Sequence, residues 1–236
     1  MKTHRTCWAI IPAAGVGTRM GTEVPKQYLP LYGKTILEHS LKHICGHDAI
    51  KGIVVVLAEN DNRWNTLPLA SNLKIHTTTG GIQRYHSVLN GLHYLNTLAQ
   101  ADDWVLVHDA ARPCLRTDDL DKLLEAASGC PDGAILAVPV RDTMKRADPD
   151  NRISATVNRD QLWHALTPQI FRLSALRSAL EKIIANNIAV TDEAQAMEIT
   201  GVRPLLVEGH HDNIKITHQA DLVLAEIYLA QQENQS

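Results

Sequence analysis

Four short runs of apolar, mostly branched residues punctuate the chain at 8–11, 53–57, 104–107 and 134–138, and Pro, Gly or Asp bounds most of them. Continuous apolar runs of this length predict strands buried on both faces. The intervening segments carry their apolar residues at helical spacing instead. Positions 36, 37, 41 and 44 form one stripe, Val88, Leu89, Leu92 and Leu95 a second, and Leu120, Leu123 and Leu124 a third. Thr117-Asp118-Asp119 predicts an N-cap for the third helix. Strand and helix in alternation predict an α/β fold: a Rossmann-like, mainly parallel sheet flanked by helices.

One region breaks this rhythm. Around 140–160 the chain is charged, and Asp148-Pro149-Asp150-Asn151 is a turn signal between β-compatible residues. A projecting β-hairpin arm is predicted there. Beyond it the pattern predicts helices near 174–186 and 192–199, the second ended by Gly201, then a strand near 204–208. A last helix at roughly 219–230 leads into a polar tail. No internal repeat appears, and residues 1–236 are expected to form a single domain with the arm as its one excursion.

Composition changes this picture little. A formal charge of −3 and 21% charged residues supply no general basic field, so neither nucleic acid nor a membrane surface is an expected partner. Bound anions must be held by a few placed cations. Cys7, Cys45, Cys114 and Cys130 show no paired spacing and read as reduced thiols of a cytoplasmic protein. His39, His43 and His47 stand at helical spacing, but no carboxylate or Cys completes a zinc set, and Gly46 weakens the helix before the third. His210-His211 reads as loop polarity.

The chemistry concentrates after the first strand, in Pro12-Ala13-Ala14-Gly15-Val16-Gly17-Thr18-Arg19-Met20-Gly21. Small residues let backbone N–H groups approach a ligand, which is how phosphates are cradled. A Walker loop needs Gly-Lys-Ser/Thr at a spacing that neither Gly15 nor Gly17 gives. A dinucleotide fingerprint would need glycine where Met20 stands, and Pro25 would interrupt its helix. What remains is an extended nucleotidyltransferase loop carrying its own cations, Arg19 and Lys26.

These residues, with Pro25-Lys26-Gln27-Tyr28, resemble the signature of the 2-C-methyl-D-erythritol 4-phosphate cytidylyltransferases of the non-mevalonate isoprenoid pathway. The resemblance runs on through Gly80-Gly81, Arg84 and Ser87, then Val107-His108-Asp109-Ala110-Ala111-Arg112-Pro113, Asp142-Thr143 and Thr167-Pro168-Gln169. Thr191-Asp192-Glu193-Ala194 and Asn213-Ile214-Lys215 complete it. It implies attack of a phosphate monoester oxygen on the α-phosphorus of CTP, with Mg²⁺ or another divalent cation assisting. Such transfers are catalysed by positioning and by cations, with no need of a base.

By the same resemblance, Arg19 and Lys26 stabilise the transition state, while Arg159 and Lys215 orient the acceptor phosphate. Pro12, Ala13, Ala14, Gly15, Gly17, Gly81, Ser87 and Ala110 are expected to hold CTP. Asp109, at the carboxyl end of a strand, is expected to bind substrate and the metal, with Asp212 or Asn213 as a second oxygen. Arg112, Thr143, Thr167 and Thr191 are expected around the acceptor. Thr143 and Arg159 belong to the arm, and the family shares its site across a homodimer. Ile82 stands where relatives often carry an acidic residue, so the resemblance carries no side-chain contact to the base over to 82. At 236 residues the chain is not expected to carry the cyclase domain fused to some relatives. The competing reading is a cytidylyltransferase for another polyol phosphate such as ribitol 5-phosphate, or a sugar-1-phosphate nucleotidyltransferase. A non-catalytic nucleotide-binding protein is the alternative outside enzymes.

Overall fold

A computed structural model describes residues 6–15 and 24–234. In chain order the elements are β1 (Cys7–Pro12), the short pair β2 (Pro30–Leu31) and β3 (Lys34–Thr35), α1 (Ile36–Gly46), β4 (Ile50–Leu57), β5 (Ile75–Thr79) and α2 (Arg84–Leu95). They continue with β6 (Trp104–Val107), α3 (Thr117–Gly129), β7 (Ala134–Pro139), β8 (Met144–Ala147), β9 (Ile153–Val157) and β10 (Trp163–Arg172). The last are α4 (Leu173–Ala185), α5 (Glu193–Ile199), β11 (Leu205–Glu208) and α6 (Gln219–Glu233).

Seven strands form one sheet in the order β11-β7-β10-β6-β1-β4-β5. Every pairing is parallel except those of β10, which runs antiparallel to both β6 and β7. The mainly parallel sheet is therefore as expected. Strands β5 and β10 are additions to the four apolar runs and β11. Alternation along the buried strands gives each face its own core. Cys7, Ala9 and Ile11 pack with α1 and α3, while Trp8 and Ile10 pack with α2, α4 and α5. A third, smaller cluster joins α6 to β2 through Leu31, Ile36, Cys114, Ile216, Ala225 and Leu229.

Local chemistry sets the element ends. Helix α1 starts at a capping box: Glu38 N–H donates to Thr35 Oγ1 at 3.2 Å, and Thr35 N–H donates back to the Glu38 carboxylate at 2.8 Å. Helix α3 departs from expectation, because Arg116 is its N-cap and no side chain caps it. The Thr117 hydroxyl pairs with His43 Nδ1 instead. Helix α6 runs on to Glu233, past the predicted end. The arm is the hairpin β8–β9, a separate two-stranded sheet whose turn places Asn151 at φ 60°. Its strands are almost entirely exposed, Ile153 at 68%.

The topology fixes where a ligand can lie. Strand β1 pairs with β4 on one side and β6 on the other, so the chain winds outward to β5 and then crosses back past β1. Such a reversal opens a crevice at the carboxyl ends of the two central strands. Helix α2 seats its amino end over that crevice because Gly91 lets it approach β1 closely: a Cβ there would lie 2.9 Å from Ile10.

Candidate active site

A cleft of about 590 Å³ occupies this crevice. Its floor is the end of β1 (Pro12, Ala13, Ala14, Gly15) and the end of β6 (Asp109, Ala110, Ala111); Gly81 to Arg84 and Ser87 form one wall, and Lys26, Gln27, Lys215 and Thr217 the other. Most of the residues expected to hold CTP and its phosphates are thus brought together. The α2 wall presents the amino end of a helix, whose positive dipole end favours an anion. Gly80 is needed behind it, since a Cβ would fall 2.4 Å from that of Ala14. Ser87 accepts from Gly81 N–H at 3.1 Å and sits 3.3 Å from the Gln83 carbonyl, so one lone pair of its hydroxyl remains for a ligand.

Asp109 is the hub. It is 6% exposed and the one carboxylate among the described residues of the cleft. Its Oδ1 accepts from Arg84 Nε at 3.0 Å, and its Oδ2 from Lys215 Nζ at 2.9 Å and Arg112 Nε at 3.3 Å. Burial by itself would push this carboxyl up, but Arg84, Lys215 and Arg112 together hold it well below the usual carboxylate range. Arg84 is anchored in turn by Glu193, which is fully buried and binds its guanidinium at 2.7 and 3.1 Å. Three cations against two carboxylates leave the cluster with one excess positive charge, a bias toward an anionic ligand.

A closed ring of hydrogen bonds holds the hub in place. Asp109 N–H donates to Thr167 Oγ1 at 3.0 Å, Asn213 Nδ2 to the Thr167 carbonyl at 2.8 Å, and Arg112 Nη1 to the Asn213 carbonyl at 2.7 Å. His108 braces it from inside. Its Nε2 lies 3.0 Å from the Arg112 carbonyl, which only accepts, so Nε2 carries the proton. Nδ1 is then an acceptor, and the Thr167 hydroxyl donates to it at 3.1 Å. Burial lowers the imidazole to about 4, which keeps it neutral. Thr167 lies at the interruption of the β10–β7 pairing, between Ala165 and Gln169, where the Thr167–Pro168 peptide is cis.

The facing wall is equally fixed. Lys26 Nζ donates to the Ile216 carbonyl at 3.0 Å, and Gln27 Nε2 to the Ala13 carbonyl at 2.6 Å. Ile216 N–H returns to the Ala111 carbonyl at 2.8 Å, tying the Lys215 segment to the end of β6. The two segments that carry Lys26 and Lys215 are therefore tied to each other and to the ends of β1 and β6.

Other expected residues lie elsewhere. Arg19 and Gly17 fall outside the described residues. Arg112 is buried against Asp109 and does not line the cleft. Thr167 is 4% exposed, its hydroxyl committed to His108 and Asp109. Thr143, Arg159 and Thr191 are exposed and apart from the cleft lining of this chain. Asp212 is buried and its Oδ2 accepts from Arg116 and Gln232; Asn213 donates to Thr167. Each keeps one buried oxygen without a hydrogen-bond partner among the described residues.

Asp109 fits a hard divalent cation by donor chemistry: three cations hold its carboxyl well below the usual range, and Oδ1 has one partner among the described residues, leaving a lone pair. Phosphate oxygens and water would complete such a shell. Away from the cleft, Asp118, Asp119 and His210 bring ligand atoms within 4.8 Å of one another, so His210 does have carboxylate partners that its sequence context did not reveal. Lys122 Nζ already lies 3.4 and 3.5 Å from the two carboxylates. His39, His43 and His47 address three separate partners, the Leu31 carbonyl, Thr117 and Asp121.

A sheet reversed at its centre, with a nucleotide-sized cleft lined by Lys26, Lys215 and Arg84 around one carboxylate among the described residues, is the site of a nucleotidyltransferase. The sequence profile of 2-C-methyl-D-erythritol 4-phosphate cytidylyltransferase matches residues 7–231, and the chain belongs to that family. It is 56% identical over 216 residues to the cytidylyltransferase of that name from Pseudomonas putida KT2440, covering 91% of this chain and 92% of the relative. With the enzyme of that name from Tolumonas auensis it shares 53% identity over 229 residues, covering 97% and 99% of the two chains. The crystal structure of the Francisella tularensis 2-C-methyl-D-erythritol 4-phosphate cytidylyltransferase superposes with a TM-score of 0.83 at 38% identity, covering 94% of this chain and 99% of that one.

Proposed function

We propose that this chain transfers the CMP group of CTP to 2-C-methyl-D-erythritol 4-phosphate, releasing pyrophosphate and 4-diphosphocytidyl-2-C-methyl-D-erythritol for isoprenoid precursor synthesis. The observation that carries the reading is the ionised Asp109 at the cleft floor, ringed by Arg84, Arg112 and Lys215. An anion-seeking cleft with one hard carboxylate suits a triphosphate meeting a phosphate monoester, whose second pKa near 6 makes it a ready nucleophile. The family's relatives do not favour the ribitol phosphate or sugar-1-phosphate alternatives.

In this reading the backbone of Pro12 to Gly15, with Gly17, Gly81, Ser87 and Ala110, seats the nucleoside. Arg19 and Lys26 take up charge developing on the triphosphate. Lys215 leaves Asp109 for the acceptor phosphate, which Arg159 orients from the opposite side for in-line attack. Asp109 would hold Mg²⁺, which when bound would neutralise charge on the phosphates. Arg112 and Thr167 set the pose of Asp109, while Thr143 and Thr191 meet the acceptor's hydroxyls.

Residues 1–236 serve as one domain, with about 140–160 as a dimerisation arm. The exposed Met144 and Ile153 on that arm support a homodimer in which Thr143 and Arg159 complete the neighbouring site. A cytoplasmic location suits four free cysteines and the lack, among described residues, of a helix long and apolar enough to cross a membrane. The test is pyrophosphate release from CTP and Mg²⁺ with each acceptor in turn. Turnover with methylerythritol phosphate alone is expected; turnover with ribitol 5-phosphate alone overturns the substrate assignment.

A further inference from the structure

Glu193 brings a carboxylate into the protein interior without reaching the cleft; burial pushes its pKa up, and the bidentate Arg84 guanidinium opposes that shift. It is 0% exposed, is absent from the cleft lining, and sits at the first position of α5. Its mount is built with care for geometry. Asp192 caps the helix by accepting from Gln195 N–H at 3.0 Å. Gln169, on β10, accepts from Ala194 N–H at 2.9 Å and donates to Asp192 Oδ2 at 2.9 Å. The turn holding Glu193 is thus pinned on both sides by an amide from a central strand.

Both Glu193 oxygens meet the Arg84 fork, and the remaining Nε–H of that guanidinium points at Asp109 Oδ1. A buried ion pair by itself adds little stability over a well-packed apolar pair. Its use here is directional. Lys215 and Arg112 both draw on Asp109 Oδ2. Without an opposing cation held in place on Oδ1, the carboxylate would turn toward that pair. Arg84 is that opposing cation, and a guanidinium fixed in a bidentate fork has its third donor fixed too.

We propose that Glu193 is a positioning residue for the transfer reaction: through Arg84 it sets the plane of the Asp109 carboxylate, and so which oxygen faces the phosphates. The inference rests on the assignment of Asp109 to the reaction. Glu193 is buried behind Arg84 and does not line the cleft, so its loss should act on turnover and leave nucleotide binding nearly intact. The substitution Glu193→Gln keeps the size and removes the charge, placing an NH₂ against an Arg84 N–H.

The experiment measures kcat, KM for CTP and Tm for E193Q, R84K, D109N and the double variant E193Q/D109N. For E193Q, kcat should fall about 10- to 100-fold, the usual effect of losing an outer-shell orienting partner, with KM for CTP within about threefold; R84K, at a residue that itself lines the cleft, should lose kcat to a similar degree, and its KM is no part of the test. In E193Q/D109N, kcat should match that of D109N, because Glu193 acts through Asp109. Losses that multiply in the double variant overturn the proposal, as does an E193Q enzyme with wild-type kcat and a lowered Tm. If E193Q does not fold, the R84K and R84K/D109N pair decides by the same comparison. A D109N enzyme with undiminished turnover sinks instead the assignment of Asp109, so the two failures are distinguishable.

Discussion

Acidification should destabilise this protein through His108 by an amount the structure lets one calculate. The imidazole is fully buried at the end of β6, donating to the Arg112 carbonyl and accepting from Thr167. Burial, opposed in part by Asp109, lowers it to about 4, whereas in the unfolded chain it titrates near 6.5. Between those values the unfolded chain binds a proton that the folded one refuses. Stability is therefore complete above about 6.5 and is lost as pH falls toward 4. At roughly 1.4 kcal/mol per tenfold step in protonation, the gap amounts to about 3 kcal/mol. The assay is denaturant unfolding of wild type and His108→Asn at intervals from pH 7.5 to pH 4. Asn shifts the whole curve by a constant but does not titrate, and the surface carboxylates common to both proteins cancel in the difference. The wild type should lose about 3 kcal/mol more than the variant across this window. Parallel curves would refute the argument that a neutral imidazole is required beneath Asp109.

Lys26→Ala should collapse kcat by about 100-fold or more while weakening CTP binding far less, as measured by steady-state kinetics beside calorimetric titration. Equal losses in both would make Lys26 a binding residue only. Gly80→Val should raise KM for CTP at least about tenfold, because a side chain there must displace Ala14 from the cleft floor; unchanged kinetics would show that the wall yields. Thr35→Ala removes the capping box of α1 and should cost about 1 kcal/mol in urea unfolding with kcat unaltered.

Sheet and helices were legible wherever burial leaves a periodic trace. The apolar runs at β1, β4, β6 and β7 face helices on both sides, so the pattern of Trp8 to Ile11 reads as strand without knowledge of its neighbours. Strand β10 was not legible. Its Pro168 and polar Thr167 and Gln169 look like loop chemistry, and they are buried because they serve Asp109, Asn213, Asp192 and Ala194. Strand β5 fails for a related reason: at the sheet edge, His76 to Thr79 needs no apolar run. The cleft floor was legible because small residues after a strand have a local signature. The Glu193–Arg84–Asp109 chain had none, since its members lie 109 and 25 positions apart and meet only once the sheet has reversed direction. Arg84 and Glu193 both stood in recognisable motifs, yet nothing in their spacing says that they touch. Thr117 misled for a tertiary reason: Arg116 takes the N-cap position of α3, and the Thr117 hydroxyl pairs with His43 on α1, 74 positions away.

The hairpin β8–β9 enters the sheet at a single junction. It departs after β7 and returns as β10, two strands that are already antiparallel neighbours, and Val140 N–H closes its base on the Leu162 carbonyl at 2.9 Å. Nothing in the sheet order depends on what lies beyond that closure. The arm is thus a detachable cassette in the evolutionary sense: its length and side chains can drift, or be exchanged, without disturbing the register of the strands that build the nucleotide cleft. A lineage can lengthen, shorten or recode the hairpin while inheriting the cleft at the ends of β1 and β6 unchanged.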